Sequence, residues 1–342
     1  VQTIDYIINT IETLVNIPSP SGFTKEVTAF VQSEAERFGY VCETNHKGAL
    51  IITVEGKGRE TLGLSAHVDT LGAMVRSINE TGTLNFTLVG GYTMNSIEGS
   101  YCSIHTRDGK TYTGTILVKS PSVHSYDDAR TMERTDRNME VRIDEIVKNK
   151  EEVMVLGIEC GDYISFDAKF VYTSQGFIKS RHLDDKASVA VLLGLLRDLS
   201  QSGFVPDRKL KLYISNYEEV GFGASCIPQD ISELLAVDMG AVGDDLNGTE
   251  YTVSICAKDS AGPYDYEMTN RLIGLAKQNK IAYVVDIFPH YASDVSAALR
   301  SGNDICGALI GQGVHASHGM ERTHRKGLEN TLRLLELYVG LR

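Results

Sequence analysis

The stretch Ser180-Arg181-His182-Leu183-Asp184-Asp185-Lys186-Ala187-Ser188-Val189-Ala190 opens an apolar run that continues to Leu199. Two adjacent carboxylates at the mouth of a buried helix repel each other, and each loses water. The free N–H groups of a helix N-terminus offset part of that cost. A bound cation would offset far more. Read alone, the pair also fits a plain helix cap, for which Asp is a favoured residue.

Working outward from that helix, the chain alternates helices with short apolar strands. On the C-terminal side, 209–216, Leu234–Val237, Thr252–Ala257, 281–287 and Asp304–Ile310 read as strands. Residues 265–279 and 327–340 read as helices, and Ser293 is an N-cap for a helix reaching Arg300. On the N-terminal side, Ile4, Ile7, Ile8, Ile11, Leu14 and Val15 fall on one helical face within 3–16, which Pro18 and Pro20 terminate. A second amphipathic helix carries Val27, Phe30, Val31, Ala35 and Phe38, and 49–55 and 61–66 read as strands. This is the pattern of an α/β layer fold.

Between about 72 and 174 the style changes. Thr83–Val89, Tyr112–Lys119, Val153–Leu156 and Tyr163–Phe166 read as short β runs among many glycines, and the charged segment Asp127–Asn138 predicts an exposed loop. The division expected is a catalytic α/β domain of residues 1–71 and 175–342, interrupted by an inserted β domain of residues 72–174. One continuous domain with a long β excursion is the alternative.

The length of 342 residues allows two domains, or one with an insertion, and 42% hydrophobic residues can build an ordinary core. A formal net charge of −12 argues against a nucleic-acid or anionic-membrane partner. Part of that acidity could belong to a metal site. The cysteines at 42, 102, 160, 226, 256 and 306 are scattered, which predicts reduced, mostly buried thiols and a cytoplasmic protein. No basic-then-apolar start predicts a secretory signal, and no apolar run reaches the ~18 residues that a membrane span needs.

Five stretches carry chemistry. Ser65-Ala66-His67-Val68-Asp69-Thr70 ends a predicted strand, where ligands gather in open α/β sheets. Residues two apart in an extended segment point the same way, so the Asp69 carboxylate can reach the His67 ring, the partnership a metal-ligating histidine needs. A buried histidine satisfied by a neighbouring Asp has the same pattern. The Asp184–Asp185 pair is the second stretch. The third, Tyr217-Glu218-Glu219-Val220-Gly221-Phe222-Gly223, again follows a strand. Were both glutamates extended, their side chains would diverge, one toward a metal and the other toward the substrate as a proton carrier. Gly221 and Gly223 would allow a close approach. Ala236-Val237-Asp238-Met239-Gly240 ends a fourth strand in a carboxylate. The fifth, Gly313 to His324, places His315, His318 and His324 within ten residues. Carboxylates and imidazoles without thiols suit zinc, cobalt or manganese, and five such ligands with one shared carboxylate would hold two ions.

In this order SAHVDT, RHLDDK, YEEVGFGA, AVDMG and SHGMERTH resemble the glutamyl and deblocking aminopeptidase family of the dinuclear zinc exopeptidases, over most of the chain. The resemblance implies a three-layer zinc-exopeptidase-like catalytic domain with an inserted, barrel-like β domain acting as lid or assembly module. It implies a metallo-aminopeptidase with two divalent ions per subunit, zinc or cobalt before manganese. His67 and Asp238 would hold one ion, Glu219 and His318 the other, and Asp184 would bridge them. Glu218 would be the general base and acid, and Asp69 would orient His67. His315 is the alternative to His318. A cis peptide bond between Asp184 and Asp185 is implied as well. Peptides would be the substrates, and the subunits would assemble as a tetrahedral homo-oligomer of twelve. Ser293, Asp294 and Lys258 are candidates for the substrate pocket. A dinuclear carboxypeptidase or N-acyl amidohydrolase on the same scaffold is the competing activity, and it predicts a cationic pocket, for which Arg181, Lys186 and Arg322 are the nearby bases. A non-catalytic assembly or binding protein that kept the fold is a further reading, but it calls for a damaged motif set.

Overall fold

Helix α1 (Thr3–Val15) buries Ile4, Ile7, Ile8, Ile11, Leu14 and Val15, the face that its three-and-four spacing predicts. This computed structural model describes residues 2–342. After α1 come α2 (Lys25–Arg37), β1 (Val41–Thr44), β2 (Leu50–Val54) and β3 (Thr61–His67). The chain then enters β4 (Gly72–Ile78), β5 (Leu84–Val89), β6 (Tyr101–His105), β7 (Thr111–Val118) and β8 (Met139–Ile143), followed by α3 (Lys150–Val155) and β9 (Tyr163–Phe166). Strands β4-β5-β8-β7-β6-β9 close into a barrel. Phe86, Ile104, Ile116, Met139, Val141 and Ile164 fill its own core.

The chain returns through β10 (Val171–Tyr172) and β11 (Phe177–Ser180) to α4 (Leu183–Ser202). There follow β12 (Lys209–Ser215), β13 (Ile231–Val237), β14 (Gly240–Val242), β15 (Val253–Lys258), α5 (Tyr266–Gln278), β16 (Tyr283–Ile287), α6 (Asp294–Arg300), β17 (Cys306–His315), β18 (Glu321–His324) and α7 (Arg325–Tyr338). Ser293 is the N-cap of α6, as expected. These strands form one twelve-stranded sheet whose main path runs β1-β2-β12-β3-β13-β17-β18-β11-β10. Helix α4 is apolar nearly all round, with Val189 to Leu196 buried, so it lies inside the domain between the sheet and α1.

Two features of this topology build a site. First, β3 pairs in parallel with both β12 and β13, which sets His67 beside Ser215 and brings the three carboxyl ends to one edge. Second, the barrel is spliced in between His67 and Asp184. The chain leaves the sheet just after the histidine and returns just before the aspartate.

Some expectations need correction. Val153–Leu156 is not a strand. Its residues lie in and just after α3, whose N-cap Asn149 accepts a hydrogen bond from the Glu152 N–H at 2.9 Å. That cap, with Glu151 and Glu152 in the first turn, outweighs a short apolar run. Glu218 and Glu219 are not extended either, but open a 3-10 turn, Glu218–Val220. All six cysteines are free thiols, yet only Cys102 and Cys256 are buried, while Cys160, Cys226 and Cys306 are exposed. Asp127–Asn138 is a run of turns, mostly exposed, tied back where Arg134 pairs with Glu98 at 2.8 Å. Among the described residues no helix is long and apolar enough to cross a membrane.

Candidate metal centre

His67 is the last residue of β3 and is almost wholly buried. Its Nδ1 meets the main-chain oxygen of Asp69 at 3.0 Å, with the Asp69 carboxylate 3.5 Å away. Its Nε2 lies 3.1 Å from Asp184 Oδ1 and 4.0 Å from Asp238 Oδ2. Asp184 and Asp185 stand at the mouth of α4 with non-helical torsions, joined by a cis peptide bond. Their carboxylates part company. Asp185 accepts the His67 main-chain N–H at 3.2 Å, whereas Asp184 faces both histidines. The other Asp184 oxygen, Oδ2, lies 3.3 Å from His318 Nε2, which in turn is 3.4 Å from Glu219 Oε2.

Two triads result, and they share one residue. His67, Asp184 and Asp238 offer ligand atoms all within 4.8 Å of one another, and so do Asp184, Glu219 and His318. Glu218 belongs to neither triad. Its carboxylate reaches to 3.8 Å from His67 Nε2 and keeps some exposure to the cleft.

The neighbours hold these groups in place. The Asp69 carboxylate accepts the main-chain N–H groups of Glu218 and Glu219 at 3.1 and 3.2 Å, and the Ser21 hydroxyl at 2.5 Å. Its main task is thus to shape the turn that carries both glutamates, while its carbonyl orients His67. Glu321 accepts the Asp184 N–H at 3.1 Å and the His318 N–H at 3.0 Å. The Gly91 carbonyl, from the barrel side of the chain, accepts His318 Nδ1–H. Sequence reasoning missed Ser21, Gly91 and Glu321. Glu321 lies inside the motif already singled out, but nothing in the linear pattern separates it from an exposed charge.

The electrostatics show what kind of group the site favours. Burial pushes the Glu219 carboxyl well above its ordinary range, and Asp184 adds to the effect. Burial followed by Asp184 raises Asp238 to about 7. Glu218 is raised by burial and then chiefly by Asp238. Burial alone would lower His67, but the bond to Asp184, with Asp69 behind it, holds it well above the usual value. Glu219 Oε1 is shielded from solvent and has no hydrogen-bond partner. Carboxylates packed this closely want positive charge, and only oxygen and imidazole donors converge here. The donor set fits a hard or borderline divalent cation, without thiolate.

A cleft of about 1220 Å³ opens over the centre, reaching Asp184, Glu218, Glu219, Asp238 and His318 at its base. Ser293 lines it, whereas Lys258 points its ammonium at the Asp259 carbonyl and Asp294 is buried behind the wall, accepting the Ala224 N–H at 2.9 Å. Gly223 is required for that contact, because a Cβ there would meet Asp294 Oδ1 at 2.0 Å. The close approach is therefore made by Asp294 rather than by a substrate. Of the other histidines, His315 is exposed, and the His324 ring lies between Gln175 O at 2.9 Å and the Lys326 N–H at 3.0 Å.

Known proteins resemble this chain in sequence and in fold. Residues 48–334 match the M42 glutamyl aminopeptidase family. The chain is 50% identical over 332 residues to the putative aminopeptidase YhfE of Bacillus subtilis, covering 96% of each protein. Its fold superimposes on an aminopeptidase from Desulfurococcus kamchatkensis with TM-score 0.88 at 22% identity, covering 98% of this chain and 95% of the other. It superimposes with TM-score 0.85, also at 22% identity, on the TET1 peptidase of Pyrococcus horikoshii, covering 97% and 99%. That peptidase is described as assembling into a tetrahedron or a large octahedral shell.

Proposed function

The chain belongs to the M42 glutamyl aminopeptidase family and is an aminopeptidase, and from that premise we propose that it removes the N-terminal residue of peptides in a reaction dependent on two divalent metal ions. His67, Asp184 and Asp238 would hold one ion, and Asp184, Glu219 and His318 the other. Zinc or cobalt suits these donors best, with manganese next. Bound there, the pair would polarise the scissile carbonyl and bring the pKa of a water toward neutrality. The observation that carries this reading is Asp184, whose two oxygens face two histidines from opposite sides, at 3.1 and 3.3 Å.

Glu218 takes the general base and acid role. It stands outside both triads, within reach of the space between them, so its carboxylate stays free to move a proton. It accepts a proton from the water whose oxygen adds to the carbonyl carbon. It then delivers that proton to the leaving nitrogen as the C–N bond breaks. Asp69 fixes Glu218 through its N–H and His67 through its own carbonyl, which makes it a positioning residue.

The free ammonium group of a peptide suits a cleft floored by carboxylates. A carboxypeptidase would need a cation for the substrate's terminal carboxylate, but Arg181, Lys186 and Arg322 are committed elsewhere. Arg181 donates to Ser100 at 2.9 Å, Lys186 to the Leu14 and Ile17 carbonyls at 2.8 and 2.7 Å, and Arg322 pairs with Glu250 at 2.5 Å. Arg300 is the arginine left on the cleft wall.

Residues 72–174 would act as an inserted lid and assembly domain. On its surface Ile146, Met154 and Val155 are exposed apolar side chains, which favours burial against further copies of the chain in a homo-oligomer. Free thiols fit a cytoplasmic setting. The test is a screen of aminoacyl-nitroanilides against N-acyl amino acids after metal loading, with particle mass measured by light scattering. Turnover of the aminoacyl series supports the reading, and turnover of only the N-acyl series defeats it.

A further inference from the structure

Most hydroxyl and amide donors on the cleft wall are already in use. Ser293 pairs with the Tyr264 hydroxyl at 2.7 Å, and Ser296 donates to Asp259. The Asn247 amide donates to the Val285 carbonyl at 3.0 Å and to Asp286 at 3.2 Å. Tyr291 differs. Its hydroxyl is shielded from solvent and makes no hydrogen bond of normal geometry, although the Asp238 carboxylate lies close enough to interact with it.

The residue is nevertheless firmly held. Its main-chain carbonyl accepts both the N–H and the hydroxyl of Ser260, at 2.9 and 2.7 Å, and its ring packs on Phe288 with centroids 5.2 Å apart. The side chain lines the cleft, with its hydroxyl beside the Asp238 carboxylate of the candidate metal centre. An ordinary tyrosine phenol, with a pKa of about 10, is a proton donor at neutral pH.

A peptide brings two polar groups to this centre. Its terminal amine carries hydrogens and suits the surrounding carboxylates. Its scissile carbonyl carries only lone pairs, and carboxylates offer them nothing. We infer that the Tyr291 hydroxyl donates a hydrogen bond to the scissile carbonyl oxygen as that oxygen gains negative charge, making Tyr291 a catalytic residue. This rests on the metal-dependent aminopeptidase reading above. As the water oxygen bonds to the carbonyl carbon, the π pair moves onto the carbonyl oxygen and the hydrogen bond strengthens. As the pair returns, the C–N bond breaks and the amine leaves with the proton carried by Glu218.

The experiment compares the metal-loaded wild type with Tyr291→Phe, which keeps the ring and its packing. The variant is expected to lose about 10²–10³-fold in kcat, with KM within about twofold, as for removal of a donor to an oxyanion. Its Kd for a phosphinic pseudodipeptide, a tetrahedral probe, should weaken by a similar factor, while its Kd for the free product amino acid stays unchanged. Metal content and melting temperature should match the wild type. Unchanged kcat, a rise in KM alone, or loss of metal or of melting temperature each overturns the inference. A wild type that turns over no aminoacyl substrate overturns the functional reading as well, whereas an unaffected variant beside an active wild type overturns only the role of Tyr291.

Discussion

The carboxylate of Asp69 accepts the main-chain N–H of Glu218 at 3.1 Å. This bond joins the end of one strand to the turn after its parallel neighbour. It explains how a 3-10 turn, usually a soft element, can present two glutamates at fixed positions. With the adjacent bond from the Glu219 N–H, it makes Asp69 the hinge pin between the histidine motif and the glutamate motif.

Asp69→Asn should disturb that turn. An amide in place of the carboxylate can no longer present two acceptor oxygens to two N–H groups and a hydroxyl. Metal affinity or kcat is expected to fall by about 10–100-fold, the range for residues that orient metal ligands from behind. Metal titration followed by calorimetry, alongside kcat, checks this. Unchanged values in both would remove Asp69 from its positioning role.

Glu218→Gln should keep both ions and lose about 10²–10⁴-fold in kcat, the typical contribution of general acid–base catalysis. Elemental analysis of the purified variant must accompany the kinetics. Full metal content with near-normal turnover would exclude Glu218 as the proton carrier.

Asp184→Asn should behave differently. One oxygen faces each histidine, so replacing the carboxylate weakens both triads together. Metal content should drop toward zero at both positions. Retention of one full equivalent would mean that the two triads do not depend on a common residue.

Removing the metal should destabilise the folded chain, because ions that bind only the native state add stability in proportion to the logarithm of their concentration. Chelator is expected to lower the melting temperature, and added zinc or cobalt to raise it progressively. A melting temperature indifferent to both would argue that the carboxylate cluster holds no ion.

Away from the centre, Glu336 on α7 is buried, and its carboxyl is pushed up to about 7 by burial, with Arg342 opposing and Asp198 adding. A carboxyl raised in the folded state binds more protons there than in the unfolded chain. Stability therefore falls as pH rises from about 4.5 to about 7, and the penalty persists above that. Glu336→Gln should be more stable than the wild type at pH 8, by at most about 3 kcal/mol, and should match it near pH 4.5. Equal denaturation midpoints at both pH values would contradict this.

Much of the candidate centre was legible in the sequence because most of the residues proposed as ligands sit at or just after strand ends, where local pattern is strongest. His67, Asp238 and the glutamate pair all follow short apolar runs, and parallel pairing brings such ends together. What the sequence concealed depends on distant contacts. Nothing local ties Ser21 to Asp69, or Gly91 to His318, since each partner arrives through tertiary packing. Glu321 reads as one charge among several in a polar loop until its two N–H partners are seen. Val153–Leu156 misled for the opposite reason, since an apolar run of that length fits a strand and a capped helical turn equally well. Tyr291 gave no signal, because an aromatic residue beside a helix N-cap is ordinary until its hydroxyl is found buried beside Asp238 without a hydrogen bond of normal geometry.

The central claim is that two ions share Asp184 while Glu218 remains unbound. Anomalous diffraction at the metal edge, from crystals of the metal-loaded protein, tests it most directly. Two peaks are expected in each subunit, one among His67, Asp184 and Asp238 and one among Asp184, Glu219 and His318, with the Glu218 carboxylate coordinating neither. A single peak, or peaks away from Asp184, would contradict the account.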